Sequence, residues 1–170
     1  MIFGFVIAVT AACGAGTSAT NDTPPAGGAD SIFDTELELF DTGQPTTLAD
    51  FAGAPLVVNF WASWCPSCVG EMPDFEQVHQ EQGDTVTFIG IAVEDDPSSA
   101  EEIRRATGVT YVVGRDDQGR LPELLGVHGI PATAFISASS HLVELWVGPL
   151  DIDSLRAKID EHFSTGGRSP

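Results

Sequence analysis

Hydrophobic and polar positions repeat along the chain with two different periods, and these periods predict separate strands and helices. Apolar runs and short alternating segments predict strands over residues 37–40, 56–61, 86–93, 111–113, 132–136 and 142–147. Apolar positions three or four residues apart predict helices from after Cys68 to Gly83 and over residues 96–108, 121–125 and 151–163. In the second helix, Ile103 and Ala106 are expected to face inward.

Strands and helices alternate along most of this order, and the chain closes with two strands and a helix. That order predicts an α/β fold with a central mixed sheet flanked by helices. Residues 37–40, followed by a turn at residues 41–43, add an N-terminal strand or hairpin. Because 170 residues can bury one well-formed core, we expect a single domain over residues 31–163.

The two ends of the chain have compositions that do not suit a packed domain. Residues 1–12 are apolar and uncharged but too short to span a bilayer, which predicts an export signal. Residues 13–30 are rich in Gly, Pro, Ser and Thr and predict a flexible tether, and residues 164–170 predict a disordered tail. Small residues around Cys13 resemble the lipobox of bacterial lipoproteins, which implies a lipid anchor on Cys13. An uncleaved apolar tail and simple signal cleavage are the alternatives.

The charge of the chain bears on its partners and not on its fold. With 25 acidic and 7 basic residues the formal net charge is -18, and Lys158 is the only lysine. Such a surface repels phosphate backbones, so we expect no nucleic-acid partner. Three cysteines are too few for a disulfide-stapled scaffold, and each therefore requires its own explanation.

The chemistry is expected at Cys65-Pro66-Ser67-Cys68, which lies between a predicted strand and a predicted helix. Free N–H groups at a helix N-terminus stabilise a thiolate and lower its pKa. Cys65, nearer the strand, is predicted to be the exposed nucleophile, and Cys68, one turn into the helix, the shielded resolving thiol. Pro66 suits the first helical position, and Pro66 and Ser67 help to set the redox potential.

A structural disulfide and a zinc half-site are the alternatives for this motif. A disulfide that closes so short a loop adds little stability. Zinc normally takes four ligands, and the sequence has no second Cys-x-x-Cys, so we expect no metal and no cofactor.

Residues 57–68 (VVNFWASWCPSC), with Glu71-Met72-Pro73 after them, resemble the TlpA/ResA/DsbE branch of the thioredoxin superfamily, the extracytoplasmic thiol-disulfide oxidoreductases. The resemblance covers roughly residues 37–163 and implies a thioredoxin-like fold. It also implies that Trp64 is the aromatic residue before the nucleophile and that Pro73 kinks the active-site helix. Gly129-Ile130-Pro131-Ala132-Thr133 resembles the cis-proline loop of the superfamily, which implies a cis bond before Pro131 and substrate contacts from Trp64, Pro66, Ser67, Ile130 and Pro131.

The resemblance also implies how the proton of the resolving thiol is handled. Asn59 stands where classical thioredoxins have a buried aspartate, and an amide cannot accept this proton. A glutamate at the end of the next strand takes that role in the branch, and Glu94 fits the position, with burial expected to raise its pKa. Asp95 is the competing assignment, and an exposed acidic loop is the alternative. His128, beside the proline loop, either contacts substrate or lies on the surface.

The sequence thus predicts dithiol-disulfide exchange with protein substrates outside the cytoplasm. The resemblance implies reduction, for instance in cytochrome c maturation, with a membrane thiol reductase as electron donor. An oxidative role is an alternative, as is a thioredoxin-fold copper metallochaperone, although the cysteine spacing argues against the latter. A peroxiredoxin would need a Pro-x-x-x-Thr-x-x-Cys context, which is missing.

Overall fold

The computed structural model describes Met1 and residues 31–164. The predictions for residues 2–12 of the export signal, for the whole tether with Cys13 and for residues 165–170 of the tail lie outside the described residues. The strands are β1 (Leu37–Leu39), β2 (Pro45–Thr46), β3 (Leu56–Trp61), β4 (Thr87–Val93), β5 (Val112–Asp116), β6 (Ala132–Ile136) and β7 (Leu142–Val147). The helices are α1 (Pro66–Gln82), α2 (Pro97–Thr107), α3 (Arg120–Leu125) and α4 (Ile152–Phe163), with a 3-10 helix over Leu48–Phe51.

The seven strands form one mixed sheet in the order β2-β1-β5-β4-β3-β6-β7. β3 is parallel to β4, and β4 is parallel to β5, whereas the other neighbouring pairs are antiparallel. β3 lies between β4 and β6, and each of its six residues is buried. The predicted central mixed sheet and the additional N-terminal hairpin, β1 with β2, are both confirmed.

Two apolar clusters pack against the two faces of this sheet, and β3 is therefore buried on both sides. Val57 and Trp61 pack with α1, α2 and α4, whereas Val58 and Phe60 pack with α3 and the N-terminal segment. Among residues 31–164, no helix is both long and apolar enough to cross a bilayer.

Two details of the predicted elements were wrong. Ala106 is exposed, and α2 turns Ala100 and Ile103 toward the core instead, because a helix rotates by about 100° per residue and Ala106 lies to the side of that face. The strand predicted over residues 111–113 is β5, which begins at Val112 and continues to Asp116. It is longer than predicted because its polar residues also form backbone pairs with neighbouring strands. Arg115 pairs with Glu38 of β1, with 2.7 Å between the guanidinium and the carboxylate.

Candidate active site

The Cys65–Cys68 disulfide lies where the central strand β3 passes into α1. The two sulfur atoms are 2.07 Å apart, and the two Cα atoms 5.3 Å apart. Cys65 is the N-cap of α1, and its Sγ accepts a hydrogen bond from the backbone N–H of Cys68 at 3.3 Å. Helix N-terminal N–H groups carry partial positive charge, so this position favours the thiolate form of Cys65. The predicted strand-to-helix placement of the motif is confirmed.

The two cysteines differ in their access to solvent. The exposed fraction of Cys65 is 6%, and that of Cys68 is 0%. The difference has the predicted direction, although Cys65 is itself largely buried in the disulfide form. Pro66 is the first residue of α1, as predicted, and Pro66 and Ser67 are both exposed. The hydroxyl of Ser67 lies 3.5 Å from the Cys65 Sγ.

The proline loop also has the predicted backbone form, since the Ile130–Pro131 peptide bond is cis. Ile130 packs against the apolar cluster that contains both cysteines. The carbonyl of Pro131 accepts a hydrogen bond from Gly148 N–H at 2.9 Å, which ties the loop to the segment after β7. Trp64, with 62% of its surface exposed, lines one cleft together with Ile130.

Glu94 does not have the environment predicted for it. Its side chain is exposed, so the burial that was expected of it is missing. The backbone explains the placement: β4 ends at Val93, and Glu94 has a φ of 47°, a left-handed conformation that turns the chain out of the sheet. Glu94 instead lines the cleft that contains Trp64 and Ile130. His128, also exposed, lines the same cleft.

Asp95, the competing assignment, fixes the backbone just before the nucleophile. Its carboxylate accepts hydrogen bonds from the Ser63 N–H at 2.5 Å and from the Ser63 hydroxyl at 2.7 Å. These bonds join the loop after β4 to the loop after β3, two residues before Cys65. Asp95 thus helps to hold the backbone just before Trp64 and Cys65 in place.

This contact predicts a coupled loss of stability. Asp95→Asn is expected to lower the free energy of unfolding by about 1 to 2 kcal/mol, because it weakens two charge-assisted hydrogen bonds. Ser63→Ala should cost less, since it removes one of the two. Chemical denaturation of both variants and of the double variant measures their coupling, and fully additive effects would show that the pair does not interact.

A buried carboxyl group lies elsewhere, at Glu71 on α1. Its exposed fraction is 4%. The Asn59 side-chain N–H donates to Glu71 Oε1 at 2.8 Å, and the Leu150 backbone N–H donates to Glu71 Oε2 at 2.8 Å. Burial raises the pKa of Glu71 to about 7, because desolvation of the charged form outweighs the two hydrogen bonds that lower it. This acid therefore titrates close to neutral pH.

Glu71 belongs to the stretch that carries the family resemblance, and no role was predicted for it. A usable signal was present, because Glu71 follows Cys68 by three residues and side chains with that spacing lie on one face of a helix. Cys68 and Glu71 are both buried on α1. Asn59 connects Glu71 to the sheet, since its Nδ2 also donates to the Thr133 hydroxyl on β6 at 3.3 Å. Asn59, at the position where classical thioredoxins have an aspartate, thus donates a hydrogen bond to the buried carboxyl group of Glu71.

Comparison with known proteins gives a consistent result. A family model described as Redoxin matches residues 15–159. The thiol:disulfide interchange protein DsbE of Pseudomonas fluorescens biotype C is 38% identical over 106 residues, which are 62% of this chain and 58% of that protein. HelX of Rhodobacter capsulatus, also a thiol:disulfide interchange protein, is 31% identical over 126 residues, 73% of this chain and 70% of HelX.

Among solved structures, a secreted Mycobacterium tuberculosis disulfide oxidoreductase homologous to Escherichia coli DsbE is 25% identical, with a TM-score of 0.68. The match covers 75% of this chain and 96% of that structure. The chain spans less than two thirds of the DsbE relative, with 58% of that protein covered. The sequence match, the mixed sheet and the disulfide at the start of α1 together show that this chain belongs to the Redoxin family of the thioredoxin superfamily, with relatives named DsbE and HelX.

Proposed function

We propose that this protein is a thiol-disulfide oxidoreductase that exchanges dithiol and disulfide with protein substrates. The observation that carries the proposal is the Cys65–Cys68 disulfide, formed at the N-terminus of α1 beside an exposed tryptophan. A purely structural bridge would not require the preceding Trp64 to remain 62% exposed. The names of the DsbE and HelX relatives support the same activity.

In the reductive direction, the Cys65 thiolate attacks one sulfur of a substrate disulfide and forms a mixed disulfide, and the other substrate sulfur leaves as a thiolate. Cys68 then attacks Cys65, which restores the intramolecular disulfide and releases the second substrate thiolate. The reaction oxidises the enzyme dithiol by two electrons and reduces the substrate disulfide by two. Oxidation of a substrate dithiol is the same sequence in reverse.

Glu71 is the group best suited to accept the proton of the Cys68 thiol. With a pKa of about 7 it is partly ionised at neutral pH, and a base with such a pKa transfers protons efficiently there. Glu71 thus takes the role that the sequence assigned to Glu94. We assign substrate contacts to Trp64, Ile130 and Pro131, with Pro66 and Ser67 at the exposed helix start.

Extracytoplasmic location belongs to the same proposal. The apolar segment of residues 1–12 and the secreted mycobacterial relative support it. We further propose a lipid anchor at Cys13, a reducing role such as the maturation of cytochrome c, and a membrane thiol reductase as the electron donor.

The reduction potential of Cys65–Cys68 tests the direction of exchange. Equilibration with glutathione is expected to give a value near that of thioredoxin, about -270 mV, as a reductant requires. A value near about -120 mV would instead indicate an oxidant. Failure of the reduced protein to reduce insulin would contradict the activity itself.

A further inference from the structure

The cleft beside Trp64 and Ile130 has a volume of about 420 Å³ and contains features that the exchange reaction does not use. Its apolar part includes Val93 and Pro122, both buried, and half-buried Val127. Two exposed carboxylates, Glu94 and Glu123, also line it. An apolar hollow with a few polar groups is typical of a binding site for a small molecule or a peptide segment.

The position of Glu94 at this cleft is determined by its surroundings. Its backbone N–H donates to the Asp116 carbonyl at 3.2 Å. Its side chain lies against Gly119, where an added Cβ would be 3.2 Å from Glu94 Cγ and 3.3 Å from Glu94 Cδ. A glycine at residue 119 therefore leaves room for the Glu94 side chain to lie along the cleft.

Acidic side chains outnumber basic ones in the lining of the cleft. No lysine or arginine is among its lining residues, and His128 is the only basic side chain there. Lys158, the only lysine of the chain, pairs with Glu144, and Arg120 lines a separate hollow. The net charge of -18 extends this negative field beyond the cleft.

We infer that this cleft selects substrates in which the reacting cysteine is flanked by lysine or arginine next to an aliphatic residue. The inference rests on the proposed function, since it names the substrate class of the same site. Aliphatic groups would pack on Trp64 and Val127, and the cationic groups would lie near Glu94 and Glu123. Opposite charges across an interface mainly raise the association rate and the selectivity between partners.

Two cyclic disulfide peptides of equal length test this preference. One has lysines beside its cysteines, and the other has glutamates at the same positions. Reduced protein is expected to reduce the lysine peptide about tenfold faster in kcat/KM at low salt, with the ratio falling toward one in high salt. Equal rates for the two peptides would overturn the inference and leave the proposed function intact. Reduction of neither peptide would contradict the proposed function.

Charge reversal assigns the effect to the cleft. The Glu94→Lys/Glu123→Lys double variant is expected to invert the preference and favour the glutamate peptide. Glu102→Lys/Glu161→Lys is the matched control, because it makes the same change in net charge at exposed positions of α2 and α4. The control should retain most of the wild-type ratio. Equal loss of preference in both double variants would show that overall charge, and not the cleft, is responsible.

Discussion

Cys65→Ser is expected to reduce the rate of insulin reduction to the uncatalysed background. The remaining thiol of the pair, Cys68, has no exposed surface and cannot reach a protein disulfide without a conformational change. Loss of an activated nucleophile removes the first step of exchange altogether. Insulin turbidity measures the effect. Cys13→Ser is the matched control and should keep the wild-type rate, because Cys13 lies far along the sequence from the motif and outside the proposed exchange pair.

Cys68→Ser distinguishes the roles of the two thiols. This variant keeps the nucleophile but cannot resolve the intermediate, so a covalent mixed disulfide with substrate should accumulate. Mass spectrometry under non-reducing conditions detects that complex. The assignment of roles would be reversed if Cys65→Ser, and not Cys68→Ser, accumulated the mixed disulfide.

Glu71→Gln is expected to remove a pH dependence of stability that the wild-type protein has. The pKa of this carboxyl is about 7 in the folded protein and 4.5 as an ordinary glutamate, so the folded protein binds the proton more tightly. Its contribution to the free energy of unfolding is therefore fully present below pH 4.5 and is lost as the pH rises through 7. A pKa difference of this size corresponds to about 3 kcal/mol.

The measurement is the difference in unfolding free energy between wild type and Glu71→Gln, obtained by denaturation of the oxidised proteins at a series of pH values. Between pH 4.5 and 7, the unfolding free energy of the wild type should fall relative to that of Glu71→Gln, so the wild type is relatively less stable at the higher pH. Glu161→Gln, exposed on α4, is the control and should show no such slope. A flat difference for Glu71→Gln would contradict the buried, proton-binding state of this side chain.

The same variant tests the role of Glu71 in exchange. Starting from a preformed mixed disulfide isolates the step in which Cys68 attacks Cys65. We expect this step to slow by about 10²-fold in Glu71→Gln and to lose its rise with pH near 7, because a general base typically contributes at least that much. An unchanged rate and pH profile would assign proton transfer to another group or to solvent.

Much of the fold follows from local patterns. Local signals specify several elements: the apolar run indicates β3, a proline indicates the start of α1, and a glycine indicates the end of α2. These elements were therefore predicted within a few residues. Ala106 was placed on the wrong side of α2 within a correctly predicted helix, whereas the bounds of β5 were wrong because pairing with distant residues decides them. β5 extends through Arg115 because Glu38 lies across from it, 77 residues earlier in the chain.

The sequence by itself determined the motif and its place between strand and helix, because both depend on residues that are close together in the chain, whereas the cis bond before Pro131 was implied only by the resemblance to the family. Only the tertiary structure decided which acid is buried. Glu94 directly follows a buried strand, yet its left-handed backbone turns it toward solvent. Glu71 is enclosed because β3 supplies Asn59 and the segment before α4 supplies Leu150. The pKa of a carboxyl depends on the groups that surround it in space, and those groups come from residues 12 and 79 positions away.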